Sequence, residues 1–184
     1  MIKLMENTKM KFKSWFGSSL MMGLMIIGSN AAELQIDPAK IESADSISGW
    51  EIFQYVKDGK IALETAGDDK ALKVSAETGK KGLMLIVKEA VKCNKGEKIT
   101  FAFTAKGKGV LIGGAYLLDA DRKQIGGVYG AAKDVKSDEE WSDFIDTKDI
   151  PAEAKGKAVA SIQPYLAIRP GSEISLKILI FKLK

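Results

Sequence analysis

From residue 60 onward the chain runs as short apolar stretches broken by Gly, Asp and Lys, without the sustained three-to-four-residue periodicity of a helix. KIALETA (60–66) sets Ile61, Leu63 and Thr65 on one side, and ALKVSA (71–76) follows the turn residues Gly67-Asp68-Asp69-Lys70, which predicts a hairpin. Further strands are predicted over 82–91, 97–107, 109–119, 140–147, 158–169 and 173–184. Alternation is cleanest in KITFAFTAK, where Ile99, Phe101, Phe103 and Ala105 face one way and Lys98, Thr100, Ala102, Thr104 and Lys106 the other, so one face is core and the other meets solvent or lines a shallow groove. The last strand carries Ile174, Leu176, Ile178 and Ile180 in one phase and then moves to Phe181 and Leu183, which predicts a bulge or burial on both faces. Asp149-Ile150-Pro151 is expected to open one helical turn. Eight or more short strands separated by turn residues make an all-β sandwich or barrel.

The N-terminus does not belong to that pattern. Lys3, Lys9, Lys11 and Lys13 precede an apolar run from Trp15 to Ile27 and then the small residues Gly28-Ser29-Asn30-Ala31-Ala32, the order of a secretory signal. Roughly 13 apolar residues fall short of the ~20 that cross a bilayer as a helix, so cleavage near Ala31 or Ala32 is expected, with the start open between Met1 and Met10, which begins a more compact version of the same signal. Residues 1–32 then form a signal peptide, 33–184 a single domain, and the working protein is secreted or periplasmic with no membrane span. Taking away the four lysines and Glu6 leaves 24 basic and 23 acidic residues, a net of +1 against +4 for the whole chain. Lysines and acids alternate rather than cluster, so nucleic acid is not an expected partner. Cys93 is the one cysteine, which excludes an internal disulfide and leaves a buried thiol or a pairing with another molecule.

The chain has no histidine, which removes the usual base of serine and cysteine nucleophiles and the commonest zinc ligand. GKGVLIGG lies within strands, where its glycines serve turns and close packing rather than a phosphate. Asp119 with Asp121 and Asp138-Glu139-Glu140 lie in turn segments, where Asp already bonds local backbone. A glycosidase instead needs two carboxyl groups facing each other across a sugar. Structural calcium at Asp119 and Asp121 rests on two carboxylates where a site needs six or more oxygens, and no other cofactor is expected. AVASIQPYLAIR (158–169) poses a sharper problem, because Gln163 stands in an apolar strand two residues before Tyr165. An amide there must meet backbone, water or a ligand.

SGWEIFQYVKDGKIALETAGDDKALKVSA, GEKITFAFTAKGKG, YLLDADRKQIGG, EEWSDFIDTKDIPAEAKGKA and the closing apolar strand pair, taken in order over residues 47–184, resemble the carbohydrate-binding modules of the family 4/9 type. The resemblance implies a galactose-binding-like jelly-roll β-sandwich of two antiparallel sheets, with a polysaccharide or oligosaccharide lying across a concave face. There rings stack on sugars while amides and carboxylates bond hydroxyls. It carries ligand-binding roles onto Phe53, Glu89 and Gln163, with Tyr165 beside Gln163 and with Tyr55 and Tyr129 at the rim. The chain departs from the family at Ala115, where relatives place an arginine, and at Ile125, where they place a second stacking tyrosine. Trp50 and Trp141 are expected to close the ends of the core, and Tyr116, in phase with Ile112 and Leu118, to point inward. Arg169, before Pro170-Gly171, is expected to cap a turn. Core and binding-face positions stay equally open for Phe53 and Tyr165. The expected function is an exported, non-catalytic glycan-binding domain; the alternative is a structural or protein-interaction sandwich of the cell envelope that binds no sugar.

Overall fold

The computed structural model describes residues 33–38, 41, 47–66 and 69–184, all within the unit Ala31–Lys184; the expected signal peptide, with the choice of start, lies outside the described residues. The regular elements among these residues are β-strands. In chain order they are β1 (Glu33–Ile36), β2 (Trp50–Lys57), β3 (Gly59–Ala66), β4 (Asp69–Ala76), β5 (Leu83–Val87), β6 (Val91–Lys92) and β7 (Lys98–Leu118). There follow β8 (Gln124–Tyr129), β9 (Lys133–Val135), β10 (Ser142–Asp149), β11 (Glu153–Ala154), β12 (Lys157–Ala158), β13 (Ser161–Ile168) and β14 (Glu173–Leu183).

The sequence predicts two strands over 97–107 and 109–119, and the protein makes them one. β7 is a single ribbon of 21 residues that takes part in both layers. Its first half pairs with β14 and β10, and its second half with β13, β8 and β9. The first sheet therefore runs β3-β4-β14-β7-β10, with β1 also on β14, and the second runs β2-β5-β13-β7-β8, with β6 on β13 and β9 on β7. All pairings are antiparallel. The crossing point is Gly107-Lys108-Gly109, where both glycines have positive φ, 124° and 139°. A Cβ at Gly107 would meet the Glu173 carbonyl and one at Gly109 the Ser172 side chain, so only glycine lets β7 turn that corner against β14.

The predicted hairpin is β3 and β4, paired from Gly59↔Ala76 to Ala66↔Asp69, with residues 67–68 outside the described set. The phase change in the last strand comes earlier than predicted, as a register shift between Leu176 and Ile178, so that Leu179, Phe181 and Leu183 enter the core and Ile178 is exposed. The helical turn expected at Asp149 is absent: β10 runs to Asp149, and the Ile150 N–H donates to Glu97 with the Ile150 side chain in the core. Burying Ile150 outweighs the local preference of the Asp-Ile-Pro run for a turn.

The core between the sheets takes Leu72 and Val74 from β4, Leu83, Leu85 and Val87 from β5, alternate residues of β7, and Leu176, Leu179 and Phe181 from β14. Each fully buried Leu or Phe contributes about 1.5–3 kcal/mol. Trp50 joins it as expected, 5.1 Å from Phe181, which meets Phe101 edge-on at 5.3 Å. Trp141 does not: its half-exposed ring lies under the ammonium groups of Lys106 and Lys177, 5.1 and 6.0 Å from its centroid. Cys93 is half-buried at the core margin, and burial, helped by Glu97, pushes its thiol up to about 11, which leaves little thiolate at neutral pH.

Candidate functional site

A second apolar cluster lies on the face of the second sheet that points away from the core. It comprises Met84, Ile86 and Tyr165, with Phe53, Val56, Tyr116 and Ala167 packed against them. Its origin is strand alternation. In β13 Ile162, Leu166 and Ile168 enter the core, so Gln163, Tyr165 and Ala167 point out. In β5 Leu83, Leu85 and Val87 point in, and Met84 and Ile86 point out.

Cross-strand register assembles these residues into rows. One row runs Glu51, Ile86, Tyr165, Gly114, Tyr129 across β2, β5, β13, β7 and β8; the next runs Gln163, Tyr116, Gly127. The glycines decide how the rings lie. A Cβ at Gly114 would occupy the space of the Tyr165 phenol, and one at Gly127 would sit 2.7 Å from the Tyr129 hydroxyl. Each tyrosine therefore leans over a glycine and rests against the sheet.

On β2 the ladder with β5 skips from Ile52↔Leu85 to Lys57↔Leu83, so five steps along β2 match two along β5. The excess residues bulge over the face and bring Phe53 within 6.1 Å of Tyr116, with Tyr55 edge-on to Phe53 at 5.4 Å. Tyr116 lies 5.0 Å from Tyr165 and donates from its hydroxyl to the Met84 sulfur at 3.7 Å. The result is an unbroken run of rings, Tyr55, Phe53, Tyr116 and Tyr165, with Tyr129 beside it. Exposure differs along it: Tyr55 is 65% and Tyr129 62% exposed, Phe53 and Tyr116 are half-buried, and Tyr165 is 3% exposed. Burial, then the neighbouring Tyr129 and Tyr116 phenols, pushes the Tyr165 phenol far above its ordinary value, so it stays neutral.

Of the six residues named from the sequence, Phe53, Tyr55, Tyr129, Gln163 and Tyr165 share this face. Tyr165 is its floor rather than its surface. Gln163 is half-buried, and its Nε2 donates to the Val87 carbonyl at 2.8 Å. Glu89 lies in the exposed connection from β5 to β6, 3.6 Å from Arg122 on the turn after β7.

Tyr116 corrects the expectation that it points inward. Phe101 fills the core side of β7, where a Cβ on Gly113 would strike its ring, so the core face takes Gly113, Ala115 and Leu117 and the large ring goes outward. Ala115 and Ile125 are both in the core, which means the positions compared with the family's arginine and second tyrosine do not reach the outer face. Glu51 on this face was not singled out from the sequence; the apolar Trp50, Ile52, Phe53, Tyr55 and Val56 around it break phase at the bulge and conceal the strand.

Of the two candidate calcium carboxylates, that of Asp119 is engaged within the protein. Asp119 accepts from the Asp121 and Lys123 backbone N–H groups at 3.0 and 2.9 Å and pairs with Lys157 at 2.8 Å. Among the described residues no three His, Cys, Asp or Glu side chains are grouped to hold a metal ion. Arg169 does sit at a turn, its N–H donating to Val110 and its carbonyl accepting from Ser172.

No protein-family model matches the chain, and no curated protein matches it by sequence. Solved structures do match by shape. The CBM22-1 xylan-binding domain of Paenibacillus barcinonensis Xyn10C is 15% identical with a TM-score of 0.55, over 82% of this chain and 92% of that one. A family 29 carbohydrate-binding module, a mutant of CBM29-2 complexed with mannohexaose, is 13% identical with a TM-score of 0.51, over 83% and 92%. The enzymatically active domain of Bacteriophage CBA120 tailspike protein 4 is 13% identical with a TM-score of 0.55 over 79% of this chain, which spans only 21% of that protein's chain. At these identities the likeness is one of fold: the chain is a β-sandwich of the kind found in carbohydrate-binding modules.

Proposed function

We propose that the domain binds a neutral polysaccharide or oligosaccharide without catalysis, laying it across the outer face of the second sheet in the manner of the family 4/9 modules it resembles. The observation that carries this reading is the continuous run of rings across one sheet face outside the core, with a solvent-exposed tyrosine on each flank. Tyr55 on β2 and Tyr129 on β8 belong to the outer strands of this sheet and both leave their rings open to solvent, so a glycan laid across the strands would meet one at each side. Tyr129, lying over Gly127, offers a ring face for stacking, and Glu51 and the phenol hydroxyls offer bonds to sugar hydroxyls. The protein would act in the periplasm or outside the cell after losing residues 1–32.

The xylan and mannohexaose named with the similar structures are the first probes. In native gels containing soluble xylan or mannan, Tyr55→Ala with Tyr129→Ala should weaken retention about thirtyfold, at about 1 kcal/mol for each of the two stacking rings. Because both side chains are mostly exposed, the thermal midpoint should hardly move. Full retention in the double variant would refute the site.

A second reading draws on the same face. Between the rings lie the half-buried Val56 and Ala167, seated on the buried Met84 and Ile86, an apolar strip that an envelope protein could cover as well. A partner captured from envelope extract by the wild type and lost with Tyr55→Ala and Tyr129→Ala, with no retention on any glycan, would favour it.

A further inference from the structure

We infer that Gln163 is a positioning residue whose side-chain amide replaces the backbone N–H that Pro164 lacks, holding β5 against β13 beneath the aromatic face. Ladder parity leads there. The Arg169 N–H donates to Val110, so the odd-numbered residues of β13 bond toward β7 and the even-numbered ones, Pro164 included, toward β5. The Lys88 N–H donates to Gly49, so the even-numbered residues of β5 bond toward β2 and the odd-numbered ones, Val87 included, toward β13. Since Tyr165 is paired with Ile86, Val87 stands opposite Pro164. Proline has no N–H to give, and in a regular sheet the Val87 carbonyl would go without its ladder donor at the point where β13 passes from β5 to β6. Gln163 Nε2 supplies that donor at 2.8 Å.

The consequence for the face is direct. Val87 and Pro164 are the chain neighbours of Ile86 and Tyr165, the cross-strand pair on which the ring cluster rests. Losing the bond lets the end of β5 part from β13 and tilts Tyr165 and Tyr116. Gln163 thus acts on a ligand through the rings and not by touching it. Only the binding half of this inference rests on the glycan reading; the structural half does not.

Four full-length proteins decide it: wild type, Gln163→Ala, Pro164→Ala, and the double variant, each measured by urea unfolding and by retention in gels containing xylan or mannan. Alanine at 164 restores an N–H facing Val87. Gln163→Ala alone should shift the folding equilibrium about tenfold toward the unfolded state, the cost of an undonated buried carbonyl, and should weaken retention. In the Pro164→Ala background the same change should shift the equilibrium less than twofold and leave retention at the level of Pro164→Ala itself. The cycle cancels the separate cost of removing the proline ring. Equal losses from Gln163→Ala in the two backgrounds would overturn the inference. Rescued stability with unrescued retention would overturn the positioning role and make Gln163 a direct ligand contact. If the wild type is retained by neither glycan, the proposed function fails for these probes, and the unfolding cycle alone decides what the amide does.

Discussion

Asp119 shows how much one residue of this sandwich is committed to local structure. Its carboxylate is held below the ordinary range by the Lys157 ammonium first and then by the Lys123 and Asp121 backbone N–H groups. A carboxyl whose folded value lies below its unfolded one adds stability that is complete above the unfolded value, ~3.9, and is lost as pH falls through the folded value. Asp119→Asn should therefore unfold at lower urea than wild type at pH 7, and the gap should close as the titration is carried below about pH 4. A gap that stays constant with pH would show that the carboxylate charge is not what holds this turn. The turn role of Asp119 was legible in the sequence because Asp next to Ala-Asp-Arg favours local backbone bonding. The orientation of Tyr116 was not, since the deciding fact, the Phe101 ring under Gly113, comes from the opposite layer and leaves no local trace.

At the scale of the element, strands with clean alternation could be read directly. KITFAFTAK forms the first half of β7 with the inward set Ile99, Phe101, Phe103 and Ala105 that its pattern demands. β2 escaped because its covered positions, Trp50, Phe53 and Val56, fall three apart instead of two, and the bulge that spaces them so is what carries Phe53 and Tyr55 over the face. The joining of two predicted strands into β7 also escaped: Gly107 and Gly109 look like turn residues, and here they bend a continuous strand. That bend gives a test. Gly109→Ala puts a side chain at φ 139° and against Ser172, whose hydroxyl also accepts the Val110 N–H at 3.1 Å. It should cost about 2–4 kcal/mol in urea unfolding, from backbone strain and overpacking together. Gly79→Ala, at positive φ but with open space around it, should cost about 1 kcal/mol from strain alone.

For the molecule as a whole, the double-layered β architecture was within reach of the sequence because eight short apolar runs bounded by turn residues have few other ways to bury themselves. The candidate binding face was reached only in part. Five of the six residues named in advance share one surface, yet strand parity alone could not say that Tyr165 would lie beneath the others or that Gln163 would serve the backbone.

The passage of one unbroken ribbon through both layers has a practical outcome for anyone wishing to graft a guest onto this scaffold. A Gly-Ser insert between Gly79 and Lys80, an exposed tip that nothing crowds, should leave the melting point within a few degrees. The same insert after Lys108 would uncouple the halves of β7, and the product should be recovered as aggregate.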